Sequence, residues 1–66
     1  MKVIVNGDAR DVPDEATVAS VVEDVTAASA GIAVALNGEV VRRSEWAATA
    51  VREADRLEVL TAVQGG

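Results

Sequence analysis

Leu57-Glu58-Val59-Leu60-Thr61-Ala62-Val63-Gln64-Gly65-Gly66 ends the sequence. Its first part alternates, with Leu57, Val59 and Val63 on one side and Glu58 on the other, the pattern of a half-buried strand. Its last part is two glycines. Without a Cβ, Gly65 and Gly66 leave the terminal carbonyl unshielded and reach φ values closed to other residues, so a second protein can close a narrow channel around them. Extended at ~3.3–3.6 Å per residue, the last five residues reach about 17 Å, enough to enter a neighbour's active site while the body stays outside. The stretch therefore reads as an anchored strand followed by a flexible C-terminal tail, residues 64–66. The Gly66 carboxylate is the candidate reactive group, with Gly65 and Gln64 passing through the partner's channel.

A strand of this kind needs a sheet. The other strongly aliphatic run is Val3-Ile4-Val5, followed by Asn6-Gly7. Asn-Gly favours a type I′ hairpin turn, because both central residues need positive φ. Residues 9–12 form the expected returning strand, and Pro13, with no N–H to donate, ends the pairing. The period then changes. Val18, Val21, Val22 and Val25 recur at helical spacing, with Glu23 and Asp24 on the opposite side. Thr17 is the expected N-cap, Asp14 and Glu15 lie where they favour the helix dipole, and Gly31 is the expected stop. Valine is only a modest helix former, so packing against a sheet must hold this helix.

Ile32-Ala33-Val34-Ala35-Leu36 is a further strand, and Asn37-Gly38 repeats the hairpin signal before Glu39-Val40-Val41-Arg42. Residues 43–51 read as a short helical turn and connection. Trp46, the sole aromatic, suits a lid over one end of the core better than a ligand-stacking platform. Arg52-Glu53-Ala54-Asp55-Arg56 is a charged, solvated turn into the last strand. The order is hairpin, helix, hairpin, connection, strand. The first and last strands are the most aliphatic and lack internal Pro or Gly, which places them centrally, side by side and parallel. The expected fold is α+β: a β-grasp roll, one domain over residues 1–66, with a mixed four- to five-stranded sheet and one main helix across one face.

Composition narrows function. A chain of 66 residues with no Cys and no His has no disulfide, no Cys/His zinc site and no imidazole acid–base or Cys nucleophile chemistry. Six Lys and Arg stand against eleven Asp and Glu, a net charge of −5. This is the opposite of a nucleic-acid-binding footprint and favours a soluble protein steered toward a basic partner. Met1-Lys2 precedes only three aliphatics before Asn6-Gly7, too short a run for a signal-peptide core or a membrane span, so the cytoplasm is the expected location. Neither a phosphate-binding glycine loop nor a calcium loop is present. The pairs Asp14-Glu15 and Glu23-Asp24 are adjacent in sequence and do not face each other on a helix. No catalytic constellation and no metal site is expected.

Alternation puts Val3, Val5, Val34, Leu36, Leu57 and Val59 beneath the helix. Ile4, Ala33, Ala35, Leu60 and Ala62 fall on the opposite face together with Lys2 and Glu58. With no second helix to cover them, they form a candidate docking patch beside the tail.

Across essentially its whole length the chain resembles the ThiS family, the bacterial sulfur carrier proteins of thiamine biosynthesis. The likeness rests on Val5-Asn6-Gly7, Thr17-Val18, Val34-Ala35-Leu36-Asn37-Gly38-Glu39-Val40-Val41, Arg43-Ser44-Glu45-Trp46, Asp55-Arg56-Leu57-Glu58-Val59-Leu60-Thr61-Ala62-Val63 and Gly65-Gly66. Gln64 replaces a frequent third glycine, Ala54 a usual turn glycine and Arg42 a frequent proline.

The resemblance implies a ubiquitin-like fold and a carrier without catalysis or bound cofactor of its own. An E1-like adenylyltransferase, ThiF-like, would adenylate Gly66 with ATP. A sulfurtransferase or cysteine desulfurase, or the E1-like enzyme's own cysteine, would supply sulfur to make a thiocarboxylate, and a ThiG-like thiazole synthase would accept it. The same fold and diglycine also suit the small subunit of molybdopterin synthase, a carrier for cysteine or methionine synthesis, or a ubiquitin-like protein modifier. A plain β-grasp interaction module with an idle tail is the remaining alternative.

Overall fold

The computed structural model describes residues 1–27 and 31–61. Five strands, β1 (Lys2–Val5), β2 (Asp8–Asp11), β3 (Ile32–Leu36), β4 (Glu39–Val41) and β5 (Arg56–Thr61), form one sheet in the order β2-β1-β5-β3-β4. β1 and β5 are neighbours and parallel, while the other pairings are antiparallel. This is the β-grasp arrangement, with the last strand at the centre. Helix α1 (Val18–Val25) lies between β2 and β3 in the chain, and a 3-10 helix (Arg43–Ala48) lies between β4 and β5.

Both Asn-Gly pairs form the turns their residues favour. Asn6 and Asn37 each have φ 51°, and Gly7 and Gly38 each have φ 87°, so both central positions are left-handed as type I′ requires. The returning strand starts one residue earlier than the alternation suggests, at Asp8, and Val12 leaves it to become buried. Val12 still donates its N–H to the Met1 carbonyl at 2.9 Å before Pro13 ends the pairing.

Thr17 caps α1 as expected. Its hydroxyl accepts from the Ser20 N–H at 3.2 Å, and the Ser20 hydroxyl accepts from the Thr17 N–H at 3.0 Å, a reciprocal box in which serine takes the role more often filled by Glu or Gln. One expectation is corrected here. Gly31 does not stop the helix: α1 ends at Val25, where Thr26 turns extended (φ −151°, ψ 144°) while its N–H still reaches the Val22 carbonyl. A β-branched residue takes extended backbone readily, so no left-handed glycine is needed. Gly31, at φ 72°, instead precedes β3. Asp14 and Glu15 lie outside the first helical turn, and Asp14 pairs with the Met1 ammonium at 3.3 Å.

The core sits between the sheet and α1. Val3, Val5, Val34, Leu57 and Val59 from the sheet meet Val18, Val21 and Val22 from the helix, all buried, and Leu36 and Val25 are half-buried at the edge. A fully buried Val or Leu side chain contributes ~1.5–3 kcal/mol, and this aliphatic layer is what offsets the weak helix preference of four valines. Trp46, on the 3-10 helix, is buried and closes the core, as its lid reading expects. The start of α1 is tied to the segment beyond: Val18 donates to the Thr49 carbonyl at 2.9 Å and Val51 to the Ala16 carbonyl at 3.1 Å.

The charged run before β5 is an exposed turn, as expected, and side-chain hydrogen bonds fasten it. Asp55 accepts from the Arg52 N–H at 2.7 Å through Oδ2 and from Asn37 Nδ2 at 3.0 Å through Oδ1. Ala54 holds φ 70°, a left-handed turn position that favours glycine.

Candidate functional site

The tail residues Gln64, Gly65 and Gly66, and Ala62 of the candidate patch, lie outside the described residues. What the structure places is the strand that leads to them and the face around it. β5 is paired on both sides, to β1 and to β3, so the root of the tail is set in the centre of the sheet.

Strand register decides which patch residues meet. Ala33 stands opposite Leu60, and Ala35 stands opposite Glu58 on one side and Val40 on the other. Directly opposed side chains share a face with Cβ atoms ~4.5–5.5 Å apart. The face away from α1 therefore carries one row of Leu60 and Ala33, and a next row of Glu58, Ala35 and Val40. Leu60 is 65% exposed and Val40 80% exposed, the two large exposed hydrophobics among the described residues. Ala33 is exposed and Ala35 half-buried, so the surface between them is flat. Ile4 is half-buried and stands opposite Arg56. Arg56 lies four residues before Leu60 on β5, about 13 Å at ~3.3 Å per residue, and Glu58 lies between them. The register thus brings Ala33, Ala35 and Leu60 together and keeps Ile4 apart.

Val40 was not among the residues expected on this face. The signal was present: a two-residue Asn37-Gly38 turn fixes Leu36 opposite Glu39, and Ala35 opposite Val40 follows.

Asn6 was read only as a turn residue, yet its side chain reaches β5. Its Oδ1 accepts the Val59 N–H at 2.9 Å, and its Nδ2 donates to the Val59 carbonyl at 3.2 Å. Asn37 acts likewise at the other end of the strand, its Oδ1 accepting the Arg56 N–H at 3.0 Å.

A groove of about 540 Å³ opens between the end of α1 and the 3-10 helix, lined by Ala19, Val22, Ile32 and Trp46 with Glu23 and Arg43 at its wall. Arg43 stacks over the Trp46 ring at 5.5 Å from its centre. The described residues contain no cluster of three or more metal-binding side chains. No helix among the described residues is long and apolar enough to cross a membrane.

Comparison with known proteins agrees with this arrangement. A crystal structure of the thiamine biosynthesis protein ThiS from Geobacter metallireducens is 33% identical and superposes with a TM-score of 0.81, covering 100% of both chains. A solution NMR structure of a thiamine biosynthesis protein from the same organism gives 33% identity and a TM-score of 0.82, covering 100% of this chain and 88% of that one. A protein of Paramagnetospirillum magneticum (strain ATCC 700264 / AMB-1) named thiazole synthase is 33% identical over 66 residues; the chain spans 20% of that protein's length. Residues 3–66 match the ThiS family. With a family match over residues 3–66 and a full-length superposition on a ThiS structure, the chain belongs to the ThiS family, the small β-grasp sulfur carriers of thiamine biosynthesis.

Proposed function

We propose that this chain carries sulfur on Gly66 for formation of a thiazole ring. A free carboxylate is an unreactive acyl group. An oxygen of the Gly66 carboxylate attacks the α-phosphorus of ATP in an E1-like adenylyltransferase, pyrophosphate leaves, and the acyl adenylate becomes a good electrophile. A cysteine persulfide, carried by a sulfurtransferase, a cysteine desulfurase or the adenylyltransferase's own cysteine, attacks the acyl carbon through its outer sulfur and AMP leaves; a thiol then attacks the sulfur that stays on the cysteine, forming a disulfide with it and releasing the Gly66 thiocarboxylate. The thiocarboxylate sulfur then passes to a thiazole synthase. ATP belongs to the activating partner, and the carrier holds no cofactor. All of this takes place in the cytoplasm.

The family match through Gly65 and Gly66 carries this reading. The likeness to a protein named thiazole synthase supports the choice of acceptor. The carrier needs no catalytic side chain of its own; it needs a tail that enters partner channels and a face that partners hold. The face is assigned to Leu60, Ala33, Ala35 and Val40, with Ile4 at its far margin. Gln64 and Gly65 thread the channel.

The test is mass spectrometry of the intact chain, with its native C-terminus, after incubation with the E1-like adenylyltransferase, ATP and a sulfur donor. The expected product is heavier by the difference between one sulfur and one oxygen atom, with the change located at Gly66. A chain lacking Gly66 remains unmodified. Covalent attachment to lysines of other proteins in place of this mass change identifies a protein modifier and overturns the carrier reading.

A further inference from the structure

β1 pairs with β5 only at Ile4 opposite Arg56 and Val5 opposite Leu57. The Asn6 N–H donates to the Leu57 carbonyl at 2.9 Å, and the chain then turns away through Gly7. On that side Val59 faces no strand. Its N–H and carbonyl are both met by the Asn6 side-chain amide, at 2.9 Å and 3.2 Å. A carboxamide has the donor and acceptor of a peptide unit, so Asn6 supplies the next rung of a ladder that its own backbone has left.

The rung falls at a decisive place. On the other side β3 holds β5 as far as Ile32 opposite Thr61. Val59 is therefore the last described residue of β5 held from both sides. Leu60, the most prominent side chain of the docking face on this strand, follows immediately, and the tail follows that. Gly66 follows Val59 by seven residues. A shift of the Val59 main chain moves the point from which those residues leave the body.

We propose that Asn6 is a positioning residue for chemistry at Gly66, fixing the root of the tail relative to the docking face through the main chain of Val59. This rests on the carrier reading above. The partner grips the body through Leu60, Ala33 and Val40, and the reacting carboxylate arrives where the Val59 rung aims it. Loss of the rung leaves the gripping surface in place and spoils the aim. Misplacement by about 1 Å can cost about 100-fold in rate.

Asn6→Gly tests this cleanly, because glycine keeps the positive-φ turn and removes only the amide. Asn37→Gly is the matched control: the same substitution, at the same φ of 51° and in the same kind of turn, releases β5 at Arg56 and not at Val59. With the full chain, the E1-like adenylyltransferase and ATP, pyrophosphate release is followed over carrier concentration. For Asn6→Gly, kcat falls about 10-fold or more with KM held, and amide exchange at Val59 accelerates. Asn37→Gly keeps the wild-type kcat. Asn6→Asp retains the turn and the acceptor for the Val59 N–H but presents an oxygen to the Val59 carbonyl; it shows a smaller kcat loss of the same kind and serves if the glycine variant does not fold.

A folded Asn6→Gly or Asn6→Asp chain with wild-type kcat overturns the proposal. So does an equal kcat loss in Asn37→Gly, which would mark a general effect of loosening β5. Wild-type chain that releases no pyrophosphate overturns the carrier reading instead, so the two failures are distinguishable.

Discussion

Trp46 donates its indole N–H to the main-chain carbonyl of Val41 at 2.9 Å, joining the 3-10 helix to the end of β4. The same ring is buried against the core on one side and covered by the Arg43 guanidinium on the other. It is both lid and fastener. Removing a buried Trp side chain costs ~3–5 kcal/mol, and small domains sit at the low end of the ~5–15 kcal/mol range of folding stability. Trp46→Ala is therefore left with about 0–2 kcal/mol and is only marginally folded at 25 °C. Trp46→Phe keeps most of the packing but leaves the Val41 carbonyl without its donor, a loss of about 1–3 kcal/mol. Urea titration followed by far-UV circular dichroism reads both, since the substitution removes the chain's own fluorophore.

Ala54 is a left-handed residue with a Cβ, at φ 70°, and its N–H donates to the Lys2 carbonyl at 2.7 Å. That conformation costs a non-glycine residue ~1–2 kcal/mol, while glycine carries an unfolded-state entropy penalty of ~0.5–1 kcal/mol. Ala54→Gly therefore gains up to about 1.5 kcal/mol, seen as a Tm increase of about 4–8 °C per kcal/mol for a domain of this size. Gly7→Ala and Gly38→Ala run the other way. Both positions have φ 87° with no atom within 4 Å of an added Cβ, so the cost is backbone strain of ~1–2 kcal/mol, which the ~0.5–1 kcal/mol of glycine entropy recovered reduces to a net loss of up to about 1.5 kcal/mol.

Leu60 and Val40 are 65% and 80% exposed, so replacing them changes folding little. Leu60→Asp and Val40→Asp shift stability by no more than about 1 kcal/mol. If this face is where the activating enzyme grips, each variant raises KM for adenylation about tenfold, equivalent to ~1.4 kcal/mol of binding, with kcat held. That is the reverse of the pattern expected for Asn6→Gly. Unchanged KM in both folded variants removes the docking role of this face.

Much of the fold was legible because its determinants are local. Two Asn-Gly pairs dictate left-handed turns wherever they occur, Thr17 caps a helix that begins with the next residue, and the spacing of Val18, Val21, Val22 and Val25 defines one buried stripe. Alternation assigned Val3, Val5, Val34, Leu57 and Val59 to the covered face because a strand's two sides have period two. The helix end was missed for an equally local reason: glycine is the strongest stop signal, but Thr26 ends α1 by turning extended, which leaves no mark in composition.

What the sequence determined by itself was the list of parts: which segments are strands and which is the helix. Only the tertiary structure decided which parts touch. That Leu60 meets Ala33, that Val40 joins the row while Ile4 stands apart beside Arg56, and that Asn6 holds Val59 across 53 positions of sequence all depend on the register of strands far apart in the chain. Such register is set by the joint packing of helix, sheet and connections in one core. Side-chain periodicity can name the face a residue occupies, but only that packing fixes its place along the strand.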